Sequence, residues 1–206
     1  HRSTFSCVGP SGKPGAVQSV ILSANGSVTA HDGASGRQLW VHEGVRGNTI
    51  ASATVSGNLV IAGSSERGAT VALRLPSERD AAPQPIWRPA NASASYGSAL
   101  VHDGRVYTVN KAGVAFALDL DTGAELWNHR TGECWASPLA AAGHLYFFNI
   151  QGKTTVLRPG PEPIVASINE LDEEHRLYGV AATGRSLLLS FATRLYCIAD
   201  TPGHAG

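Results

Sequence analysis

Phe116, Leu118 and Leu120 alternate with Ala115, Ala117 and Asp119, and a period of two marks a strand buried on one face. Asp121-Thr122-Gly123 follows at once. It supplies turn chemistry: a carboxylate that accepts from nearby backbone N–H groups, and a glycine that takes positive φ. The pattern therefore predicts a chain reversal, with Glu125-Leu126-Trp127 opening the return strand. An indole is too large and apolar to be left in water at the end of a hairpin, and truncating a buried Trp costs roughly 3–5 kcal/mol.

The same run occurs earlier. Val28 to Trp40 matches it position for position, with Asp32 against Asp119, Gly36 against Gly123 and Trp40 against Trp127. A second copy turns a hairpin into a repeat unit, and a repeat decides the architecture before any local assignment does. Around these two hairpins the alternation predicts five units, at roughly residues 16–44, 45–91, 92–133, 134–174 and 175–200. The first holds Val17–Leu22 and Val28–Ala30 around Asn25-Gly26, a favoured two-residue turn. The second holds Ala51–Val55, Leu59–Ala62 and Thr70–Leu73, with Trp87 standing where Trp40 and Trp127 stand. Its tight turn is replaced by the insertion Pro76–Pro85, the kind of loop that lies on one rim of a repeat fold.

In the fourth unit His144–Phe148 and Thr154–Leu157 are apolar runs, but the Trp hairpin has decayed. The fifth holds Leu177–Val180, Ser186–Ser190 and Arg194–Ile198. Gly57, Gly104, Gly143 and Gly184 each precede the second strand of a unit by a similar offset. A spacing of about 40 residues is that of a four-stranded propeller blade; a helical solenoid would show a 3.6-residue pattern instead.

The strand ending Ala-Leu-Asp-x-x-Thr-Gly-x-x-x-Trp, preceded by Asp103-Gly104-Arg105-Val106-Tyr107, resembles the repeat of the PQQ-like β-propellers. The resemblance spans nearly the whole chain. It implies an all-β propeller of four-stranded blades, set in a periplasmic, cell-surface or secreted location. That superfamily includes quinoprotein dehydrogenases and the lipoprotein of the outer-membrane barrel-assembly machinery, so the likeness speaks for fold more than for activity. A propeller must close or leave exposed edges, and two arrangements are open. Either five units form a small closed ring, or the chain is part of a larger ring. The fifth unit shows no fourth strand, and residues 3–8 are the candidate to supply it.

Length and composition fit this picture. A chain of 206 residues is long enough for one large-cored β domain, and 23 Gly with 11 Pro suit short strands and tight turns. Lys plus Arg equals Asp plus Glu, so no net field recruits nucleic acid or an anionic membrane. No stretch approaches the roughly 20 apolar residues of a membrane span. The chain opens at His1 and holds no methionine, which is expected of a processed or excised piece from which any signal peptide has gone.

Candidate chemistry is sparse. Quinoprotein dehydrogenases need a cation held by oxygen ligands, a base carboxylate and, in many members, an adjacent pair of cysteines. This sequence has no such pair, and its carboxylates fall on hairpin turns. No catalytic, cofactor-binding or metal-binding residues are assigned, no cofactor is expected, and the chain is read as a non-enzyme, the alternative being a quinoprotein-type enzyme or ligand-binding propeller that uses the central axis. Asp119-x-Asp121-x-Gly123 lacks the remaining ligands of a calcium loop and reads as a turn. His31-Asp32 and His102-Asp103 lie at different points of their units, and nothing brings them together.

Cys7, Cys134 and Cys197 fit no metal-ligand spacing. They read as buried small hydrophobes, or Cys7 and Cys197, near the two ends, form a bond that staples a ring by roughly 4–5 kcal/mol. Asn25-Gly-Ser and Asn91-Ala-Ser match the glycosylation pattern. The remaining positive features are Arg37, Arg46, Arg67, Arg88 and Arg130 near blade rims, with Tyr96 and Trp135 at the starts of units. Arginine and aromatic side chains are favoured interface anchors. They point to a binding or scaffold module with protein partners, a component of a larger assembly, although Tyr96 and Trp135 also suit packing between blades.

Overall fold

The computed structural model describes residues 19–24, 26–47, 50–78, 81–173 and 175–199, together with the backbone of 4–8. Among them there is no helix, and the strands assemble into five antiparallel sheets. The first holds β1 (Thr4–Val8), β2 (Ser19–Ala24), β3 (Ser27–Asp32) and β4 (Gln38–Glu43), in that order. The second holds β5 (Thr54–Ser56), β6 (Leu59–Ala62), β7 (Val71–Arg74) and β8 (Gln84–Trp87). The third runs β9 (Leu100–His102), β10 (Arg105–Val109), β11 (Val114–Asp119) and β12 (Glu125–Arg130). The fourth runs β13 (Leu139–Ala141), β14 (His144–Phe148), β15 (Lys153–Leu157) and β16 (Val165–Glu170). The fifth has three strands, β17 (Leu177–Thr183), β18 (Ser186–Phe191) and β19 (Leu195–Ala199).

One cross-strand trio recurs through the sheets. Ile21 pairs with Ala30, which pairs with Trp40. Ile61, Ala72 and Trp87 repeat it in the second sheet, and Tyr107, Ala117 and Trp127 in the third. The fourth sheet keeps the register with Tyr146, Val156 and Ser167, and the fifth begins it with Leu188 and Cys197. Just beyond each trio the pairing of third and fourth strands shifts, at Ala30/His31, Ala72/Leu73, Ala117/Leu118 and Val156/Leu157. Such a bulge bends and twists the outer strand. A small residue at the middle position leaves room for the indole beside it.

Each trio packs on the next sheet, so the core lies between sheets. Ile21, Ala30 and Trp40 join Val60, Val71 and Leu73. Ile61, Ala72 and Trp87 join Val106, Phe116 and Leu118, while Tyr107, Ala117 and Trp127 join Leu145, Phe147 and Leu157. Tyr146 and Phe148 meet Leu177, Leu189 and Phe191. The first strands of successive sheets lie side by side, from β1 through β5, β9 and β13 to β17. Among the described residues no comparable contact joins β17 back to β1.

Two expectations are corrected. Residues 4–8 do not complete the fifth sheet: β1 pairs with β2, Phe5 opposite Leu22 and Cys7 opposite Val20. The first sheet, like the second, third and fourth, needs an innermost strand to meet its neighbour, and β1 is that strand. The alternation in β11 is likewise not that of a one-faced strand. Ala115 and Ala117 face one neighbouring sheet and Phe116 and Leu118 the other, all buried, because a sheet within the stack has no solvent side. Leu120 lies past the end of β11, half-buried in the turn.

Candidate interaction faces

The antiparallel order sorts the connections to two ends of the stack. First-to-second and third-to-fourth strand turns form one, here the hairpin end. Second-to-third turns and the sheet-to-sheet connections form the other, the crossover end.

At the hairpin end, Asp119 Oδ1 accepts from the N–H of Asp121 at 3.2 Å, the N–H of Thr122 at 2.8 Å and the Thr122 hydroxyl at 2.7 Å. These donors hold the Asp119 carboxyl below its ordinary pKa, the Thr122 hydroxyl foremost. Asp32 Oδ1 accepts in the same way from Ser35 N–H at 2.7 Å and the Ser35 hydroxyl at 2.9 Å. Both carboxylates organise turns that close on Gly36 and Gly123, at φ 73° and 70°. Gly57, Gly104, Gly143 and Gly184 also have positive φ in the first-to-second strand turns, where a Cβ would meet nothing.

Trp40, Trp87 and Trp127 are 7%, 8% and 6% exposed. Trp87 Nε1 donates to the Leu120 carbonyl at 2.8 Å, and Trp127 Nε1 to the Gly160 carbonyl at 3.1 Å, each acceptor 33 residues further on, in the next sheet's turn. Each of these two tryptophans thus fills a cavity on its neighbour and satisfies its one donor there.

The sheet-to-sheet loops carry aromatic side chains at the crossover end. Tyr96, ahead of β9, stacks on Trp135, ahead of β13, with centroids 4.8 Å apart. Tyr178, at the start of β17, meets Trp135 edge-on at 5.8 Å. The Arg176 guanidinium lies 4.1 Å from the Trp135 ring centroid. Trp135 Nε1 donates to Glu133 Oε1 at 2.8 Å. Tyr96 and Trp135 therefore do pack between neighbouring sheets, yet both stay half-buried, and Tyr178 is 50% exposed. Beside them, Ser52 N–H donates to Ser98 Oγ at 3.0 Å and Ser98 N–H to Ser137 Oγ at 2.9 Å, linking three first strands where they begin. Aligning Ala51-Ser52-Ala53, Gly97-Ser98-Ala99 and Ala136-Ser137-Pro138 would have exposed this ladder in the sequence.

Most of the rim arginines are spent on local bonds. Arg88 donates to the Ala69 carbonyl at 3.0 Å, and Arg130 to the Ala112 carbonyl at 3.2 Å. Arg67 bonds Asn91 and donates to the Ala90 carbonyl at 3.3 Å, and Arg46 pairs with Glu66 at 3.3 Å. Arg37 sits at the opposite, hairpin end, in the turn before β4.

Glu173 was not singled out by its sequence context. Its side chain is fully enclosed, in the loop that leads from β16 to β17. It accepts from the Tyr196 hydroxyl at 2.6 Å, His175 Nδ1 at 2.7 Å, His175 N–H at 3.0 Å and Arg194 at 3.3 Å. These donors, Tyr196 first, hold its carboxyl down at about 2.

Cys134 is buried, and its thiol is pushed up to about 11 by that burial. Cys197 carries a free, exposed thiol on β19. The side chain of Cys7 lies outside the described residues, as do Asn25 and residues 9–18 and 200–206.

Stacked four-stranded sheets, joined at their first strands and locked by outer-strand tryptophans, define a propeller-like repeat protein of the PQQ type. The family model described as outer membrane protein assembly factor BamB matches residues 10–156, and the chain belongs to that family. No curated protein matches it. Among solved structures it superposes on BamB from Moraxella catarrhalis with a TM-score of 0.52 at 16% identity, covering 91% of this chain and 68% of that one. The computationally designed Ika8 protein gives a TM-score of 0.68 at 14% identity over 88% of this chain. The designed Ika4 gives 0.57 at 12% identity, covering 75% of this chain and 92% of that one. The chain spans 55% of the length of the Ika8 chain.

Proposed function

We propose that this chain is a non-catalytic binding or scaffold module of an extracytoplasmic assembly, and that its protein partner docks on the crossover end. The observation that carries the reading is the half-exposed aromatic row Tyr96, Trp135 and Tyr178, overlaid by Arg176. Rigid aromatics with a stacked guanidinium bury much area on binding and lose little side-chain entropy in doing so. Membership of a family described as an outer-membrane protein assembly factor supports both the partner class and the setting. The non-catalytic reading draws on the hairpin-end carboxylates: Asp32 and Asp119 each spend an oxygen on their own turn.

A photo-crosslinker placed at position 178 is expected to capture a discrete protein in envelope extract of the producing organism, whereas one at Asp103 on the hairpin end is not. Arg176→Glu is expected to abolish that capture while leaving the melting temperature within about 2 °C, as for an exposed surface change. Equal capture from both ends would contradict the reading. So would a visible-spectrum shift on adding PQQ and Ca²⁺ followed by alcohol-dependent dye reduction.

A further inference from the structure

A cleft of about 350 Å³ opens on the outer flank of the stack, between the second and third sheets. Its floor is apolar, formed on β11 by Phe116, which is buried, and Val114, which is half-buried. Its walls are polar. Arg67, from the loop between β6 and β7, bonds Asn91 Oδ1, Asn91 Nδ2 donates to Glu125 Oε2 at 3.4 Å, and Asn128 Nδ2 donates to Glu125 Oε1 at 2.8 Å. Asn110 closes the crossover side, its Oδ1 accepting from Val114 N–H at 3.0 Å. These bonds hold the walls without exhausting them, since each amide has both donors and an acceptor. Asn110 Nδ2, Asn128 Oδ1 and Arg67 Nη1 have no partner among the described residues. The neighbouring sheets are furnished differently. Arg88 follows Trp87 as Asn128 follows Trp127, but its guanidinium turns back to the Ala69 carbonyl at 3.0 Å and His42 Nε2 at 3.4 Å. In the fourth sheet, Val165 and Ile168 hold the register positions of Glu125 and Asn128.

We infer that this cleft is a binding site for a neutral saccharide, held by Asn110, Asn128 and Arg67 over the floor of Val114 and Phe116. An anion entering it would meet the Glu125 carboxylate and a cation the Arg67 guanidinium, so the site selects an uncharged ligand. A peptide would draw instead on the backbone edge of β12, the outermost strand of its sheet. What lines the cleft is side-chain amide and guanidinium, whose planar donors and acceptors match adjacent hydroxyl groups, each of which donates and accepts. A sugar ring also carries C–H groups that can lie against an apolar floor. The volume sits at the low end of small-molecule sites, with room for a mono- or disaccharide. This inference stands apart from the partner proposed for the crossover end, because the cleft is built on β11 and β12 and on the loops that flank β7 and β8, whereas Trp135, Arg176 and Tyr178 stand at the first strands of the fourth and fifth sheets.

The test is a titration of the nitrogen-labelled chain with glucose, N-acetylglucosamine, maltose and chitobiose, followed in the side-chain amide signals of Asn91, Asn110 and Asn128. At least one of these sugars is expected to shift the Asn110 and Asn128 signals saturably, with a Kd of about the millimolar order that suits an open site burying few atoms. A disaccharide that binds tighter than its monosaccharide marks a glycan chain as the source, and equal binding marks a free sugar. Asn128→Arg gives the third sheet the arginine that the second carries as Arg88, so it is expected to fill the cleft and abolish saturation. Asn169→Arg, the same change on β16, should leave binding intact. Asn110→Asp keeps the acceptor for Val114 N–H and removes only the free donor, so it should weaken binding about tenfold, and an otherwise unchanged backbone amide spectrum shows that it folds. The inference is overturned if no sugar gives a saturable shift, if either Asn128→Arg or Asn110→Asp leaves binding unchanged, or if inorganic phosphate or an uncharged alanine tripeptide saturates these signals and the sugars do not.

Discussion

The indole of Trp87 lies flat on Gly123, with Cδ2, Cε3 and Cγ all within 2.7 Å of where a Cβ would be. Only glycine permits that approach, and the turn's φ of 70° also favours glycine. Gly123→Ala must therefore both strain the backbone and displace the ring. The expected loss is about 2–5 kcal/mol, from roughly 1–2 for the left-handed conformation and 1–3 for overpacking. Gly36→Ala, at the same φ with no indole above it, should lose only the backbone part. Urea unfolding of the two variants reads the difference, and equal losses would contradict the packing described.

Trp127 fills the joint between the third and fourth sheets and donates to Gly160. Trp127→Ala should lose roughly 3–5 kcal/mol, and Trp127→Phe less, because a ring remains but the Nε1 donor is gone. Calorimetry checks the order; a Phe variant no more stable than the Ala variant would contradict it.

Glu173 ties the loop after β16 to Tyr196 of β19 through a carboxylate held at about 2, down from an ordinary 4.5. Its folded pKa is lowered, so its contribution is full above pH 4.5 and is lost as pH falls toward 2. Thermal melts between pH 7 and pH 2 should show the wild-type losing stability across that window. Glu173→Gln should begin less stable at pH 7 and show a shallower fall. Parallel curves would mean that folding leaves the carboxyl at its ordinary pKa, which contradicts the cluster described.

The two described thiols should behave oppositely. A thiolate is the reactive form, and burial lifts Cys134 to about 11, so a disulfide reagent at pH 7.5 should leave it untouched until the chain unfolds. Cys197, exposed on β19, should be modified in the native state. Failure of Cys197 to react, with mass spectrometry showing a loss of two hydrogens, would establish the bond to Cys7 instead.

The outer-strand tryptophans Trp40, Trp87 and Trp127 and the turns that run from Asp32 to Gly36 and from Asp119 to Gly123 were legible because they recur at fixed spacing. The strand boundaries followed from that spacing. What escaped was the environment of each face. Ala115 and Ala117 read as the exposed side of an amphipathic strand, yet in a stack of sheets a small residue marks the place where a neighbour's bulky side chain enters. The strand at residues 4–8 offered only Phe5, Cys7 and Val8, too few to show its partner. The Glu173 cluster brings together residues from a loop and from β19, and no local pattern announces a contact that only the fold creates.

The most direct test of the stacked-sheet account is a nuclear Overhauser spectrum of the labelled protein. Trp87 ring protons should show strong cross-peaks to both Gly123 Hα protons, themselves shifted upfield by the ring, and Trp127 Hε1 should show them to Gly160 and Pro161. Indole cross-peaks confined to residues of each tryptophan's own sheet would contradict it.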